Sequence, residues 1–406
     1  MKARRLIIGV LAILSLTGGL LFRQEAAVDE GATLRELAPA AVFSNKTGSP
    51  PHYQAAAGDV AFNSSDVVPF VRGYAGPIKV MIVLSPDGRI KGLKIIEHRE
   101  TRNYVHYLET PAYLGRFIGK SVLDRFEVDR DIDGISRATV SVEALARTVR
   151  DSSRAVAEQV YGIRAAPGAP AARSGWSWAV YSMLFAAALF GYMLTRRSTR
   201  MQRLRDAVLV LSIVVIGVLL SAPFSILSVF NLLLIRLSSS ALWYVVLISS
   251  LLSVVIAGRF TCGWLCPFGA VSELAARFPT RKWTIDTLTD DQWRKAKYVL
   301  LAIAVTAVLI FRRPEYGNYE TYVTLFSFHG NALSWGLVAL ALLANLRVPR
   351  FWCRYLCPVA AFLGLLSRKA EGYPSSPACP MGNRKDPEIS ECIRCNRCYR
   401  QNKENQ

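Results

Sequence analysis

Two short segments with the same cysteine spacing carry the clearest chemistry in this sequence: C-G-W-L-C-P begins at Cys262, and C-R-Y-L-C-P begins at Cys353. In each segment two thiols are four residues apart, and a proline follows the second. Cysteines at this spacing on a helix lie on one face, so each pair could present two thiolates to a metal centre. The candidate ligands are Cys262, Cys266, Cys353 and Cys357. Buried cysteines that only pack as small apolar side chains are the alternative, but packing alone would not duplicate the spacing.

The C-terminal region carries a denser group of thiols. Cys392, Cys395 and Cys398 fall within seven residues, and Cys379, which a proline follows, lies thirteen residues upstream of Cys392. The pattern resembles half of a bacterial ferredoxin, in which a C-x2-C-x2-C run supplies three ligands to one cluster and the Cys-Pro comes from the other half. Zinc is the rival ligand, although structural zinc sites usually use separated C-x2–4-C pairs. One or two [4Fe-4S] clusters are therefore expected, and ligands could be exchanged between the two groups.

The composition indicates a membrane protein with an attached domain. Of 406 residues, 52% are hydrophobic, yet 49 are Lys or Arg and the formal net charge is +19. In a nucleic-acid-binding protein, basic and aromatic residues would cluster on a polar domain. In a membrane protein, basic residues lie in short loops beside apolar runs. The chain follows the second pattern, so a membrane, and no nucleic acid, is the expected partner.

Six apolar runs approach the roughly 20 residues needed to cross a bilayer core of ~30 Å. They cover residues 6–22, 176–194, 207–220, 241–258, 298–311 and 332–346. The run at 298–311 is the weakest candidate, because its length also suits a buried helix of a soluble protein. The pattern predicts about six transmembrane helices.

Basic residues orient these runs in the bilayer. They precede the first run at Lys2, Arg4 and Arg5 and cluster again at residues 196–205, as expected of segments on the cytoplasmic side. No small-x-small cleavage site follows the first run, so we predict an uncleaved anchor rather than a signal peptide. Residues 23–175 are then exported, and both cysteine segments face the cytoplasm. All eight cysteines lie on that reducing side and none lies within 23–175, the reverse of a disulfide framework.

An α+β domain is predicted in the exported region. Residues 77–85 are typical of a strand, 86–88 of a hairpin turn and 89–98 of the returning strand, while 140–161 show helical spacing. The predicted organisation is a membrane anchor over 1–22, a linker over 23–60, the exported domain over 61–163, a linker over 164–175, a five-helix membrane domain over 176–367 and a cytoplasmic tail over 368–406.

Three stretches of the exported domain resemble the FMN-binding domain of the NosR, RnfG and NqrC type. They are G-Y-A-G-P from Gly73, H-R-E-T from His98 and D-G-I-S-R-A-T from Asp133. In that family an Asp-x-x-(Ser/Thr)-Gly-Ala-Thr motif marks a threonine that a flavin transferase joins to FMN through a phosphoester. The resemblance implies covalent FMN on Thr139, with Asp133, Ser136, Ala138, Glu100 and Thr101 as further flavin-binding residues.

One residue departs from that motif. Arg137 stands where the family has glycine, which places recognition by the transferase in question and would set a cation beside the flavin phosphate. The alternative interpretation is that Thr139 is an ordinary threonine preceding a helix.

The membrane half resembles NosR, NapH and CcoG-like polyferredoxins, whose motif is close to G-R-F-T-C-G-W-L-C-P at residues 258–267. The chain as a whole resembles the NosR/CprC-like family over nearly its full length. The implied fold is an α-helical integral membrane bundle with an exported α+β FMN-binding domain and a small ferredoxin-like cytoplasmic tail. Members serve nitrous oxide reductase or reductive dehalogenases as electron donors, maturation factors or regulators. This chain is shorter than NosR and has one tail motif where that protein would carry two.

The resemblance implies a multi-pass protein of the bacterial inner membrane that passes electrons from the cytoplasm or the quinol pool to an exported reductase. Flavin and clusters on opposite faces of a ~30 Å core are too far apart for one direct transfer, so a quinol, a partner subunit or another centre must bridge them. A redox sensor or maturation factor is the alternative, and a zinc-stabilised scaffold is a third. No acid–base or nucleophile–base pair indicates a self-contained enzyme.

Overall fold

The computed structural model describes residues 29–69, 71, 73, 77–98, 100, 107–128, 130–134, 139–165, 176–197, 202–235, 238, 240–283, 285–328, 330–367, 379–382 and 391–398. The chain divides into two compact units, and the main division falls between Arg173 and Ser174. The first unit is an α+β domain and the second is helical.

A four-stranded antiparallel sheet forms the centre of the first unit, with the strands in sequence order. The strands are β1 (Tyr53–Gln54), β2 (Val60–Asn63), β3 (Lys79–Leu84) and β4 (Ile90–Glu97). The register pairs Phe62 with Ile82, and Ile82 with Leu93. Gly88, at a φ of 74° that suits glycine, ends the tight turn between β3 and β4. The hairpin predicted over 77–98 is confirmed.

Helices cover both faces of this sheet. The helices of the first unit are α1 (Glu30–Leu37), α2 (Ser64–Val67), α3 (Pro111–Leu114) and α4 (Thr139–Tyr161). Val80 and Ile82 of β3 share a core with Leu145 of α4, while the alternate residues Met81 and Val83 belong to a second cluster with Leu34 of α1. Because both faces are buried, β3 is a continuous apolar run without polar alternation.

The linker predicted over residues 23–60 is wrong for the described residues 29–60. This segment forms α1, which Asp29 caps by accepting a hydrogen bond from Ala32 N at 3.0 Å, and it adds β1 to the sheet. The segment shows no clear apolar period because α1 has only eight residues and contributes only a short apolar contact. Its place in the domain depends on contacts with strands far along the chain, which composition does not reveal.

Leu34→Ala tests whether α1 is part of the folded domain. Leu34 is 4% exposed, so its truncation is expected to destabilise the first unit by about 2–5 kcal/mol, the range typical of buried Leu→Ala changes. Hydrogen exchange of the β3 amides in the full chain would measure the loss. Val42→Ala is the matched control because Val42 is 85% exposed. Equal β3 protection in both variants would mean that α1 does not stabilise the sheet.

The second unit contains eleven described α-helices, many of them in the predicted apolar runs. They are α5 (Trp176–Arg197), α6 (Gln202–Leu211), α7 (Ile226–Leu233), α8 (Ala241–Ala257), α9 (Phe260–Trp264), α10 (Pro267–Ala275), α11 (Thr287–Phe311), α12 (Thr321–Ser327), α13 (Ala332–Arg347), α14 (Phe351–Tyr355) and α15 (Pro358–Leu366). A π-helical segment, Ser212–Leu219, follows α6 directly.

Only one described helix has both the length and the apolarity to cross a bilayer, within Trp176–Thr195 of α5. A second crossing is possible if the bent pair α12 and α13 counts as one span, and α8 is apolar but has only 17 residues. The run at 6–22 lies outside the described residues. The six-span bundle is therefore not confirmed. The apolar runs at 207–220 and 298–311 continue helices whose other ends carry charge. Hydropathy thus located these helices but did not give the length of helix that could lie inside a bilayer.

Candidate metal centre and flavin site

The two cysteine motifs fold alike, but not as single helices. Cys262 lies in α9, which ends at Trp264, and Cys266 is the N-cap of the following helix α10. The Cys266 sulfur accepts a hydrogen bond from Gly269 N at 3.4 Å. The second motif repeats this arrangement with its second cysteine, Cys357, capping α15.

Proline sets the break in both motifs. Pro267 and Pro358 occupy the first positions of α10 and α15, where a missing N–H costs nothing and the fixed φ favours a helix start. The expectation that the two thiols of a motif share a helix face is therefore wrong. Each motif is instead divided between two helices, and the proline begins the second of them.

The structural repeat is longer than the cysteine spacing suggests. An Arg-Phe pair precedes each motif, with Arg259 and Arg350 each three residues before the first cysteine. Both arginines have fully buried side chains. Arg350 of the second motif donates a hydrogen bond to the Cys262 carbonyl oxygen at 2.8 Å, which joins the two motifs. The cysteine spacing alone does not reveal these arginines, and their matched positions three residues before each motif are the signal that could have found them.

The eight cysteines separate into two groups of four by mutual electrostatic interaction. In the first group, burial raises the pKa of the Cys266 thiol to about 12, with further contributions from Cys353 and Cys262. Burial likewise raises the pKa of the Cys357 thiol well above its usual value, and Cys353, Cys266 and Cys262 add to the effect. The first group therefore contains Cys262, Cys266, Cys353 and Cys357.

The second group lies in the tail. Burial raises the pKa of the Cys398 thiol to about 12, and Cys395, Cys392 and Cys379 raise it further. The pKa of Cys379 also rises to about 12, mainly through burial. Thiols in such surroundings stay protonated unless a cation favours the thiolate. The second group is therefore Cys379, Cys392, Cys395 and Cys398.

The chemistry of each donor set fits a [4Fe-4S] cluster, which four cysteine thiolates hold. Buried cations lie close to both groups, with Arg350 acting on Cys266 and Arg294 acting on Cys379. Such cations favour an anionic cluster. In the part of the chain that the structure describes, no three or more His, Cys, Asp or Glu side chains are arranged so that they could hold a metal ion, so the assignment of the thiols to clusters is carried by their spacing and their mutual electrostatic influence.

The tail packs directly on the first motif. A Cβ atom at Gly263 would lie 2.0 Å from the Ile393 carbonyl oxygen, so only glycine leaves room for the tail backbone. Trp264 Nε1 donates to the Arg394 carbonyl oxygen at 3.0 Å. Cys262 packs against the apolar cluster that contains Ile393 and Cys395. The two cysteine groups are therefore neighbours in the fold.

Gly263→Ala tests this close approach. The added methyl group would overlap the Ile393 carbonyl, so we expect the tail to detach and the iron bound by its cysteines to fall severalfold. Limited proteolysis between residues 368 and 391, together with iron analysis, would measure both effects. Gly336→Ala is the control because no heavy atom lies within 4 Å of its added Cβ. Full protection of the tail in Gly263→Ala would contradict the packing.

Two buried carboxylates join the tail and the motifs. Glu391 of the tail lies 2.7 Å from Lys297 and 3.1 Å from Arg259. Glu273 of α10 lies 2.6 Å from both Arg205 and Arg350 and 2.8 Å from Arg397 of the tail. Burial alone would raise the pKa of each carboxyl group, but the neighbouring cations hold both pKa values well below their usual range.

A small cavity of about 30 Å³ borders the first cysteine group. Its wall includes Cys262, Cys266, Tyr181 and Ser250. This volume accommodates water but not a quinone ring, which needs a pocket of roughly 300 Å³ or more. The cavity as it stands is therefore not a quinol site.

The flavin-binding residues are only partly described. Glu100 is buried, with 2% exposure, and accepts a hydrogen bond from Ser141 Oγ at 2.7 Å. Ser141 lies in the first turn of α4, which begins at Thr139. The structure therefore brings Glu100 to the start of the helix that carries the predicted flavin acceptor.

Asp133 is exposed on the domain surface. Its side chain is 73% exposed and pairs with Arg116, and its carbonyl oxygen accepts from Tyr113 Oη at 3.1 Å. The Thr139 side chain, together with Thr101, Ser136 and Ala138, lies outside the described residues. The flavin contacts of these four predicted residues stay predictions.

Two families match this chain in separate regions. The FMN-binding domain matches residues 73–153. The 4Fe-4S binding domain matches residues 240–286 and 329–374. These ranges contain Glu100, Thr139 and the first cysteine group, and the cysteines of the tail lie beyond them.

Similar proteins include Protein NirI of Paracoccus denitrificans, which is 32% identical over 51% of this chain and 34% of NirI. Regulatory protein NosR of Pseudomonas aeruginosa is 29% identical over 42% of this chain and 26% of NosR. The methylamine utilization ferredoxin-type protein MauN of Paracoccus denitrificans is 32% identical over 30% of this chain and 44% of MauN. The matches thus span less than half the length of each of these relatives. No solved structure matches the chain. The chain thus carries a match to an FMN-binding domain and a match to a 4Fe-4S binding domain in one polypeptide, and it is similar in part to NirI and NosR.

Proposed function

We propose that this protein is a membrane-bound electron carrier with a covalent FMN and two [4Fe-4S] clusters. The observation that carries the proposal is the pairing of two groups of four buried or half-buried cysteines, with Cys262 of one group packed against the apolar cluster that contains Cys395 of the other. Bound clusters would exchange single electrons, and FMN one or two. The chain's own contribution is to hold the two donor sets side by side and out of water.

The residues around the clusters have separate tasks in this proposal. The eight thiols would be the ligands, and in each motif the second cysteine caps the helix that the proline begins. Arg350 and Glu273 hold the two motifs together through a bond of 2.6 Å. Trp264 donates a hydrogen bond to the tail backbone, and Gly263 leaves room for that backbone to approach. These contacts shield the clusters from solvent, which influences their reduction potentials.

The flavin end of the proposal depends on Thr139. A flavin transferase would join the FMN phosphate to its hydroxyl group, and the N-terminal end of α4 would face that phosphate with unpaired N–H groups. Glu100, bonded to Ser141, would position this first turn. Ser136, Ala138, Thr101 and Asp133 are proposed as further flavin-binding residues.

The proposed location is the bacterial inner membrane, with the FMN domain exported and the cysteines in the cytoplasm. Support comes from the distribution of basic residues, from the apolar helix within Trp176–Thr195 and from the lack of cysteine within residues 23–175 of the sequence. Electrons would pass from the cytoplasm or the quinol pool to an exported reductase. A quinol or a partner subunit would bridge the bilayer.

A regulatory or maturation role is the second candidate, because one similar protein is named Regulatory protein NosR. Both functions use the same ligands but differ in sustained electron flow. In a sensor, the cofactors would change redox state without continuous turnover.

The deciding experiment uses the full chain in liposomes that contain a quinone as the bridge, oriented with its tail outward and with ferricyanide trapped inside. Quinone liposomes without the protein give the background rate. Dithionite added outside is expected to reduce the trapped ferricyanide continuously through the wild-type chain. Thr139→Val and the variant lacking the three clustered tail cysteines should both stop this flow. A single turnover in the wild type would favour the regulatory role. Zinc in place of iron and sulfide would support the scaffold alternative.

A further inference from the structure

The internal repeat around the cysteine motifs is broken at one position. Glu273 lies seven residues after Cys266, and the equivalent residue after Cys357 is Gly364. Glu273 forms an ion pair with Arg350, the arginine of the other motif, at 2.6 Å. Arg259 is the equivalent arginine of the first motif, so the repeat lacks a carboxylate for it on α15.

Glu391 of the tail supplies that carboxylate from outside the repeat. Its Oε2 lies 3.1 Å from Arg259 Nη1, and its Oε1 accepts a hydrogen bond from Tyr298 Oη at 2.9 Å. A Cβ atom at Gly364 would lie 2.8 Å from that same Tyr298 oxygen. The glycine therefore keeps the space in which Tyr298 and the tail carboxylate meet.

Arg259 lies between the two cysteine groups. Its charge acts on Cys262 and Cys353 of the first group and on Cys392 of the tail. Its side chain is completely buried and already interacts with the Cys262 thiol, while its Nε and Nη2 atoms have no oxygen or nitrogen acceptor among the residues that the structure describes. A buried guanidinium normally uses its donors fully. Sulfur atoms of a bound cluster would provide acceptors for these N–H groups.

We propose that Arg259 is a shared positioning residue, which links the two cluster sites through Glu391 and favours the reduced state of both clusters. The inference rests on the proposed binding of clusters by the two cysteine groups. Reduction adds one negative charge to a cluster, and a buried cation nearby stabilises that charge more strongly than an exposed one. One guanidinium therefore raises both reduction potentials, and the tail carboxylate that neutralises part of its charge also holds the second cluster in place.

Two substitutions of Arg259 separate charge from packing. Arg259→Met removes the cation and keeps much of the side-chain length, whereas Arg259→Lys keeps the charge. Arg281→Met is the matched control because Arg281 is exposed in the same unit. The purified full-length proteins are first analysed for iron and sulfide, and then titrated with dithionite at measured potentials while the EPR signals of the reduced clusters are recorded.

The expected result is a lower potential for both clusters in Arg259→Met, potentials close to wild type in Arg259→Lys, and unchanged potentials in Arg281→Met. Fully reduced wild-type protein should also show magnetic interaction between the clusters, because the two sites are neighbours. Unchanged potentials in Arg259→Met, or a shift in only one cluster, would overturn the inference.

Two other results can be distinguished from a wrong inference: a variant that fails to fold around its clusters, and a wild-type protein that binds no clusters. If Arg259→Met does not retain iron, Glu391→Gln gives the second test, since removal of the carboxylate leaves the charges of Arg259, Lys297 and Arg294 without this neutralising partner and is expected to raise both potentials. No increase in a Glu391→Gln protein that retains both clusters would reject the inference. Wild-type protein without iron and sulfide would instead reject the proposed function.

Discussion

Replacement of Cys392, Cys395 and Cys398 together by alanine is expected to abolish the tail cluster and leave the other cluster in place. The three residues contribute most of the second donor group, and the remaining Cys379 cannot hold a [4Fe-4S] cluster alone. Iron and acid-labile sulfide per chain should fall by about half, the loss of one of two Cys₄-bound clusters. Both quantities are measured on purified full-length protein.

The matched control removes Cys262, Cys266 and Cys353 instead. If the cysteines act in the two groups that the structure indicates, each triple variant loses one cluster and keeps the other. Loss of all iron in the tail variant would indicate that ligands are shared between the groups. Iron and sulfide that stay at the wild-type level in the tail variant would show that the tail assignment is wrong.

Thr139→Val is expected to abolish covalent flavin completely. Valine keeps the branched shape of threonine but lacks the hydroxyl group to which the phosphate would be joined. The test is fluorescence of the denatured protein in a gel, after co-expression with a flavin transferase in an exporting host. Wild type should fluoresce and the variant should not.

Thr47→Val is the control for this experiment, because Thr47 is an exposed threonine of the same unit. It should fluoresce like wild type. Fluorescence of Thr139→Val would place the attachment at another residue. Darkness in every variant, including wild type, would indicate that Arg137 prevents recognition by the transferase or that the flavin binds without a covalent bond.

The two buried carboxylates also determine how the tail responds to pH. Their depressed pKa values mean that the contribution of Glu273 and Glu391 to tail docking is present above the usual carboxyl pKa of about 4.3 and is lost only as pH falls further. Burial lowers the pKa of Lys297, the nearest partner of Glu391, to about 8. Tail protection from protease should therefore be constant between about pH 7 and pH 5, where Lys297 stays charged and both carboxyl groups stay ionised. The electrostatic attachment is then a constant feature of the fold at physiological pH.

The sequence by itself determined the features that depend on neighbouring residues. The spacing of the eight cysteines indicated an iron–sulfur protein, and a 4Fe-4S binding domain matches the region of the first group. The G-Y-A-G-P, H-R-E-T and D-G-I-S-R-A-T stretches indicated the FMN-binding domain that matches residues 73–153. The β3–β4 hairpin and α4 were also predicted, because turn residues and apolar spacing act within a short segment.

Only the tertiary structure decided how these parts meet. Arg259 and Glu391 are 132 residues apart, and the Gly263–Ile393 contact spans a similar distance, so no local pattern records either. The packing of α1 on the sheet and the division of each cysteine motif between two helices were also outside the reach of composition and spacing. Hydropathy likewise located the helices but did not give how much of each helix could lie inside a bilayer. The helix ends carry charged residues that distant partners neutralise, and hydropathy does not record those partners. Local spacing thus selects the chemistry, while long-range packing and buried charge pairs assemble the site.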